Sequence, residues 1–87
     1  MADPVIVDIT PVSTWVKVAT NITNGQIWIV DGNAEYLQTY RMTGNPAPVD
    51  NTDAQPINTP SIGISASAGV DVYVKAIRVV GKVRVDV

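Results

Sequence analysis

Any catalysis by this chain would fall to carboxylates, because its 87 residues include neither histidine nor cysteine. That removes the Ser-His-Asp triad, cysteine nucleophiles, histidine general bases and zinc sites of the usual Cys/His kind. Paired carboxylates can still serve as acid and base. Glu35 is the sole glutamate and lies in a turn region beside Asp31; solvated turn carboxylates are the plainer account of the two. Asp50-Asn51-Thr52-Asp53 offers hard oxygen ligands but lacks the turn glycine and bidentate glutamate of an EF-hand loop. A hydrated Asx-rich turn competes there with a calcium site. The four serines (Ser13, Ser61, Ser65, Ser67) have neither a Gly-x-Ser-x-Gly elbow nor a Ser-x-x-Lys pair around them. No phosphate-cradling glycine loop occurs. Asn21-Ile22-Thr23 matches a glycosylation acceptor, which without a secretion signal reads as coincidence. The residues therefore point to no enzyme, no metal and no cofactor.

Binding is better represented than catalysis. Trp15, Trp28, Tyr36, Tyr40 and Tyr73 supply most of the large side-chain surface. Tyr36 and Tyr40 are four apart and share a strand face, while Tyr73 is expected to look outward. Such residues pack cores, anchor protein interfaces, or stack on sugar rings, and all three uses stay open. The candidate interface comprises Trp28, Tyr36, Tyr40 and Tyr73, with Arg41 and Arg78 as rim charges and Arg84 able to add another; exposed strand charges are the ordinary account of all three arginines. A carbohydrate-binding or adhesion module built on Tyr36, Tyr40 and Tyr73 is the alternative, with a glycan as its partner.

The elements that would position these residues are strands. Fifteen valines and nine isoleucines stand against one leucine and no phenylalanine, with eight threonines. β-Branched side chains lose freedom in helices and fit pleated surfaces. A chain of this length forms one domain, residues 1–87, and buries only about 60–65% of its unfolded surface. With no disulfide available, association with other copies is the remaining way to supplement so thin a core. The net charge of −2 and a sequence pI near 4.6 argue against nucleic acid as a partner. No apolar run is long enough for a membrane helix. Met1-Ala2-Asp3-Pro4 has no signal-peptide character, so synthesis in a cytoplasm is expected.

Val5 to Thr10 alternates between Pro4 and Pro11, so residues 1–12 suit an edge strand or an arm. Thr14 to Thr23 and Gln26 to Val30 flank Asn24-Gly25, a strong type I′ hairpin signal. Glu35 to Met42 is then expected to complete a three-stranded meander. Residues 44–60 carry Pro46, Pro48, Pro56 and Pro60. They read as a loop, either a crossover tied down by Val49 and Ile57 or a segment lying on a neighbouring molecule. Ile62 to Ser67 forms a weaker strand, turned by Ala68-Gly69. A terminal hairpin follows: Val70, Val72, Val74 and Ala76 inward against Asp71, Tyr73 and Lys75 outward, then Val83, Val85 and Val87 against Lys82, Arg84 and Asp86. The expectation is an all-β fold, a small antiparallel sandwich or barrel of six to seven strands.

Several stretches resemble small β-rich structural proteins of tailed bacteriophages: Trp15-Val16-Lys17-Val18-Ala19, Asn24-Gly25-Gln26-Ile27-Trp28, Asp71-Val72-Tyr73-Val74-Lys75-Ala76 and Gly81-Lys82-Val83-Arg84-Val85. Proteins of that kind decorate capsids, attach head fibres or complete tails. The resemblance implies a multi-copy virion component made in a host cytoplasm. Its partners would be other copies of itself and a major capsid or tail protein.

Overall fold

The computed structural model describes residues 4–32 and 34–87. Its strands are β1 (Val5–Ile9), β2 (Val16–Ile29), β3 (Glu35–Met42), β4 (Gln55–Pro56), β5 (Ser61–Ile77) and β6 (Gly81–Asp86). They form one antiparallel sheet in the order β1-β6-β2-β5-β3-β4, not closed into a barrel. The all-β class and the count of six strands agree with the sequence reading. The connectivity does not.

Two long strands account for the difference. β2 runs straight through Asn24-Gly25 and β5 through Ala68-Gly69, so neither pair makes a turn. Neither Asn24 nor Gly25 has the positive φ that a type I′ turn requires. Gly25 serves proximity instead: a Cβ there would meet the Asp86 carbonyl oxygen and Val87 Cγ1 at 3.1 Å. The left-handed backbone falls at Asn21 (φ 52°), inside a run of register shifts between Lys17 and Asn24. Asparagine tolerates that conformation, and such irregularities bend a strand and increase its twist. Gly69 lies directly against the Asn21 side chain and leaves no room for a Cβ. Bent at this point, β2 and β5 each take part in two halves of a curled sheet.

One half joins the first part of β2 to the second part of β5, with β3 beyond; the other joins the second part of β2 to β6 and β1. The expected meander is therefore absent, because β3 pairs with β5 and β4 rather than β2. The expected terminal hairpin is absent too. Arg78 (φ 74°) redirects the chain after β5, and β6 inserts between β1 and β2. A valine-rich strand suits several neighbours equally, and burial of the inner face decides among them.

The inner faces meet in a core of Ile9, Val18, Ile27, Tyr36, Ile64, Val70, Val72, Val74, Ala76, Val83 and Val85. Alternation on β6 follows expectation, with Val83 and Val85 buried and Lys82, Arg84 and Asp86 on the outer face. On β5 it does not. Asp71, Tyr73 and Lys75 are buried along with the valines between them. Their cover is polar and comes from afar. Lys75 Nζ donates to Asn51 Oδ1 at 2.6 Å, Trp15 Nε1 donates to the Asp50 carbonyl at 3.1 Å, and Arg41 reaches both Asp53 carboxylate oxygens.

The proline-rich segment is thus a crossover folded onto its own sheet. Its apolar anchors differ from expectation: Ile57 packs on the core and donates its N–H to the Tyr36 carbonyl, whereas Val49 is 92% exposed. Val5–Ile9 is an edge strand, and Thr10-Pro11 behind it is cis. Met1 to Asp3 of the anticipated arm lie outside the described residues.

Candidate functional site

The outer face of β1, β6 and β2 presents the most exposed aromatic surface with a cation beside it. Register aligns Ile6 with Arg84 and Arg84 with Trp28 across three neighbouring strands. Residues paired in register project on the same side, so the three form one row. Ile6 is 53% exposed and Trp28 38%. The Arg84 guanidinium lies 5.2 Å from the Trp28 ring centroid and bonds Asp86 at 3.2 Å. A cation at that range is attracted by the ring quadrupole and holds the indole in place. Val30, also exposed, extends the strip and donates its N–H to the Lys82 carbonyl.

The tyrosines separate. Tyr36 is 3% exposed and belongs to the core. Its hydroxyl donates to the Asp31 carbonyl at 2.6 Å and accepts the Lys82 N–H at 3.1 Å, bridging β3 to the start of β6. Burial pushes its phenol pKa above the ordinary value. Tyr73 is 4% exposed on the opposite face, with Lys17 5.9 Å from its ring. It does not look outward, because the crossover segment is anchored over that face. Tyr40 shares the core-facing side with Tyr36, as four-residue spacing on one strand requires, but is 41% exposed. No stacking platform of Tyr36, Tyr40 and Tyr73 exists in this fold: two of the three rings are sealed on opposite sides of the sheet.

Arg41 is also turned inward to structural work. It binds Asp53, the Thr39 hydroxyl at 3.1 Å and the Tyr40 carbonyl at 2.9 Å, so it tethers the crossover rather than rimming an interface. Arg78 remains exposed and pairs with Glu35 at 3.0 Å, a surface pair of the kind that contributes little. The Asp50–Asp53 oxygens do not converge. Asp50 Oδ1 accepts the Thr52 N–H, which holds its carboxyl below the usual range, while Asn51 and Asp53 face Lys75 and Arg41. Sequence reasoning left Ile6 out of the site, because only the β1-β6-β2 register places it beside Arg84 and Trp28.

Asp71 is the one buried carboxylate on β5. It accepts the Asn21 N–H at 2.9 Å and the Thr43 hydroxyl at 3.0 Å, with Lys17 Nζ at 3.4 Å. The Asn21 N–H, first, and then Thr43 and Lys17 hold its pKa below the ordinary 3.8, against the opposing cost of burial. A depressed folded-state pKa contributes stability above the unfolded value, lost as pH falls through the folded one. Asp71→Asn is expected to melt lower than the parent at neutral pH. That gap should close as the pH falls through the depressed folded-state pKa of Asp71, where the parent carboxylate is protonated as well. Thermal unfolding across the acid range checks this, and a gap independent of pH would contradict it.

Compared with known proteins, the chain matches no family model, no curated protein and no solved structure.

Proposed function

We propose that this chain is a non-enzymatic structural protein of a bacteriophage virion, present in many copies and decorating or stabilising the capsid. The observation that supports this reading is the uncovered row of Ile6, Arg84 and Trp28, continued by Val30. Tryptophan and arginine are the residue types most enriched at interface hot spots, and here they are already stacked on one another. A pre-positioned pair loses little side-chain entropy when a partner closes over it. The sequence resemblance to small phage structural proteins directs the reading to a virion, with other copies and a major capsid or tail protein as partners.

Mass spectrometry of purified phage particles is expected to find the chain in multiple copies. Trp28→Ala should remove about 2 kcal/mol or more of binding, and so lower particle occupancy roughly 30-fold at limiting concentration. The exposed position of Trp28 leaves folding largely intact, which the melting curve of the variant verifies. A chain never recovered with particles overturns the proposal.

A further inference from the structure

We infer that β1 is a docking edge for a second copy of this chain, the two β1 strands pairing antiparallel about a two-fold axis at Val7. The inference rests on the assembly reading above and adds the identity of one partner and its register.

β1 pairs with β6 through five consecutive residues in unbroken register, Val5 with Val85 through Ile9 with Gly81. A strand that regular points alternate N–H and C=O groups away from its neighbour, and no other described strand takes them. Protein edges are ordinarily blunted by lysine, internal proline or a bulge. β1 has none of these within Val5–Ile9, and Val5 and Ile6 are each more than half exposed. Its single charge, Asp8, is matched by Lys82 on β6 at 3.7 Å.

Charge and backbone chemistry select both the partner and the register. Centring the two-fold at Val7 pairs all five residues with their copies: Val5 with Ile9, Ile6 with Asp8, Val7 with Val7. Moving the axis to Asp8 sets two carboxylates directly opposite, which is destabilising. Moving it to Ile6 sets Asp8 against Pro4, which has no N–H to give. In the centred register the outer-face row reads Trp28, Arg84 and Ile6 from one copy, then Asp8 and Lys82 from the other, with no like charges adjacent. Two rows of this kind are self-complementary, as an isologous contact requires. Five residue pairs make an interface well below the roughly 1,200 Å² of a stable complex, so the contact is weak singly and gains from multiplicity.

The absence of native cysteine makes the test specific. Ile6→Cys and Asp8→Cys both alter exposed outer-face positions. Opposed residues in an antiparallel pair have Cβ atoms about 4.5–5.5 Å apart, close to disulfide range. Oxidising an equimolar mixture of the two variants, one carrying a mass tag, is expected to raise the ratio of mixed dimer to the two like dimers together about tenfold above that of random pairing. Statistical proportions, preference for a like dimer, or no dimer at all overturns the inference. Melting curves confirm that both variants fold. Lack of mixed dimer from a chain still found on particles removes this edge contact alone. Mixed dimer from a chain absent from particles removes the virion assignment and leaves the edge contact standing.

Discussion

Tyr36→Ala is expected to cost about 3–5 kcal/mol, the range for truncating a buried aromatic residue. Domains carry roughly 0.05–0.15 kcal/mol per residue, or on the order of 4–13 kcal/mol for a chain of this size, so the variant should sit near its unfolding threshold. The loss has two separable parts. Removing the ring empties space among the core residues of both halves of the sheet. Removing the hydroxyl leaves the Asp31 carbonyl and the Lys82 N–H without the bridge that Tyr36 provides. Tyr36→Phe isolates the second part, at about 1–3 kcal/mol for the Lys82 N–H that loses its acceptor. Denaturant unfolding of the two variants side by side measures both. The parent should also lose stability as pH rises above 10, since a raised folded-state pKa favours the neutral phenol and the unfolded chain ionises first. Tyr36→Phe should lack that part of the alkaline loss.

Gly81→Ala is the second large effect, and its cause lies in the same contact. Gly81 opens β6 and is buried directly under the Tyr36 ring, where an added Cβ would overlap the hydroxyl and two ring carbons. The clash is with an aromatic ring locked in the core rather than with the free end of a flexible chain, so it cannot be relieved locally. Overpacking of this kind costs about 1–3 kcal/mol, occasionally more. The decisive measurement is the double variant. Tyr36→Ala makes room for the methyl group, so Gly81→Ala combined with Tyr36→Ala should be less destabilised than the two single losses added, by about 1–3 kcal/mol. Strict additivity would place the strain elsewhere.

How far the fold could be read from the residues varies along the chain, for physical reasons. β6 was legible because one of its faces meets water, and its alternating valines and charges record that directly. β5 was half legible. Val70, Val72, Val74 and Ala76 face the core as their spacing requires, but Lys75 is held by Asn51 of the crossover and Asp71 by Asn21, Thr43 and Lys17. No periodicity within β5 encodes what a distant segment will do. Asn24-Gly25 misled for a related reason. A turn preference is local, whereas here the backbone is held extended by Ile64 on one side and approached by the end of β6 on the other. The same limit applies to the candidate interface. Composition identified Trp28 and offered Arg84 as a rim charge, but the stacking of the two beside Ile6 follows from pairing between opposite ends of the chain.

The strand order also dictates when this protein can fold. None of the first three strands lies beside another in the sheet. β2 and β3 wait for β5, and β1 waits for β6, so an emerging polypeptide holds its early strands unsatisfied until the later ones are made. Pairings so distant along the chain make folding slow, and strands kept waiting are exposed to the wrong companions. Many nascent copies in one cell would meet that hazard together, so the rate of synthesis, and any chaperone that shields the first forty or so residues, should govern the yield of native protein more strongly than equilibrium stability does.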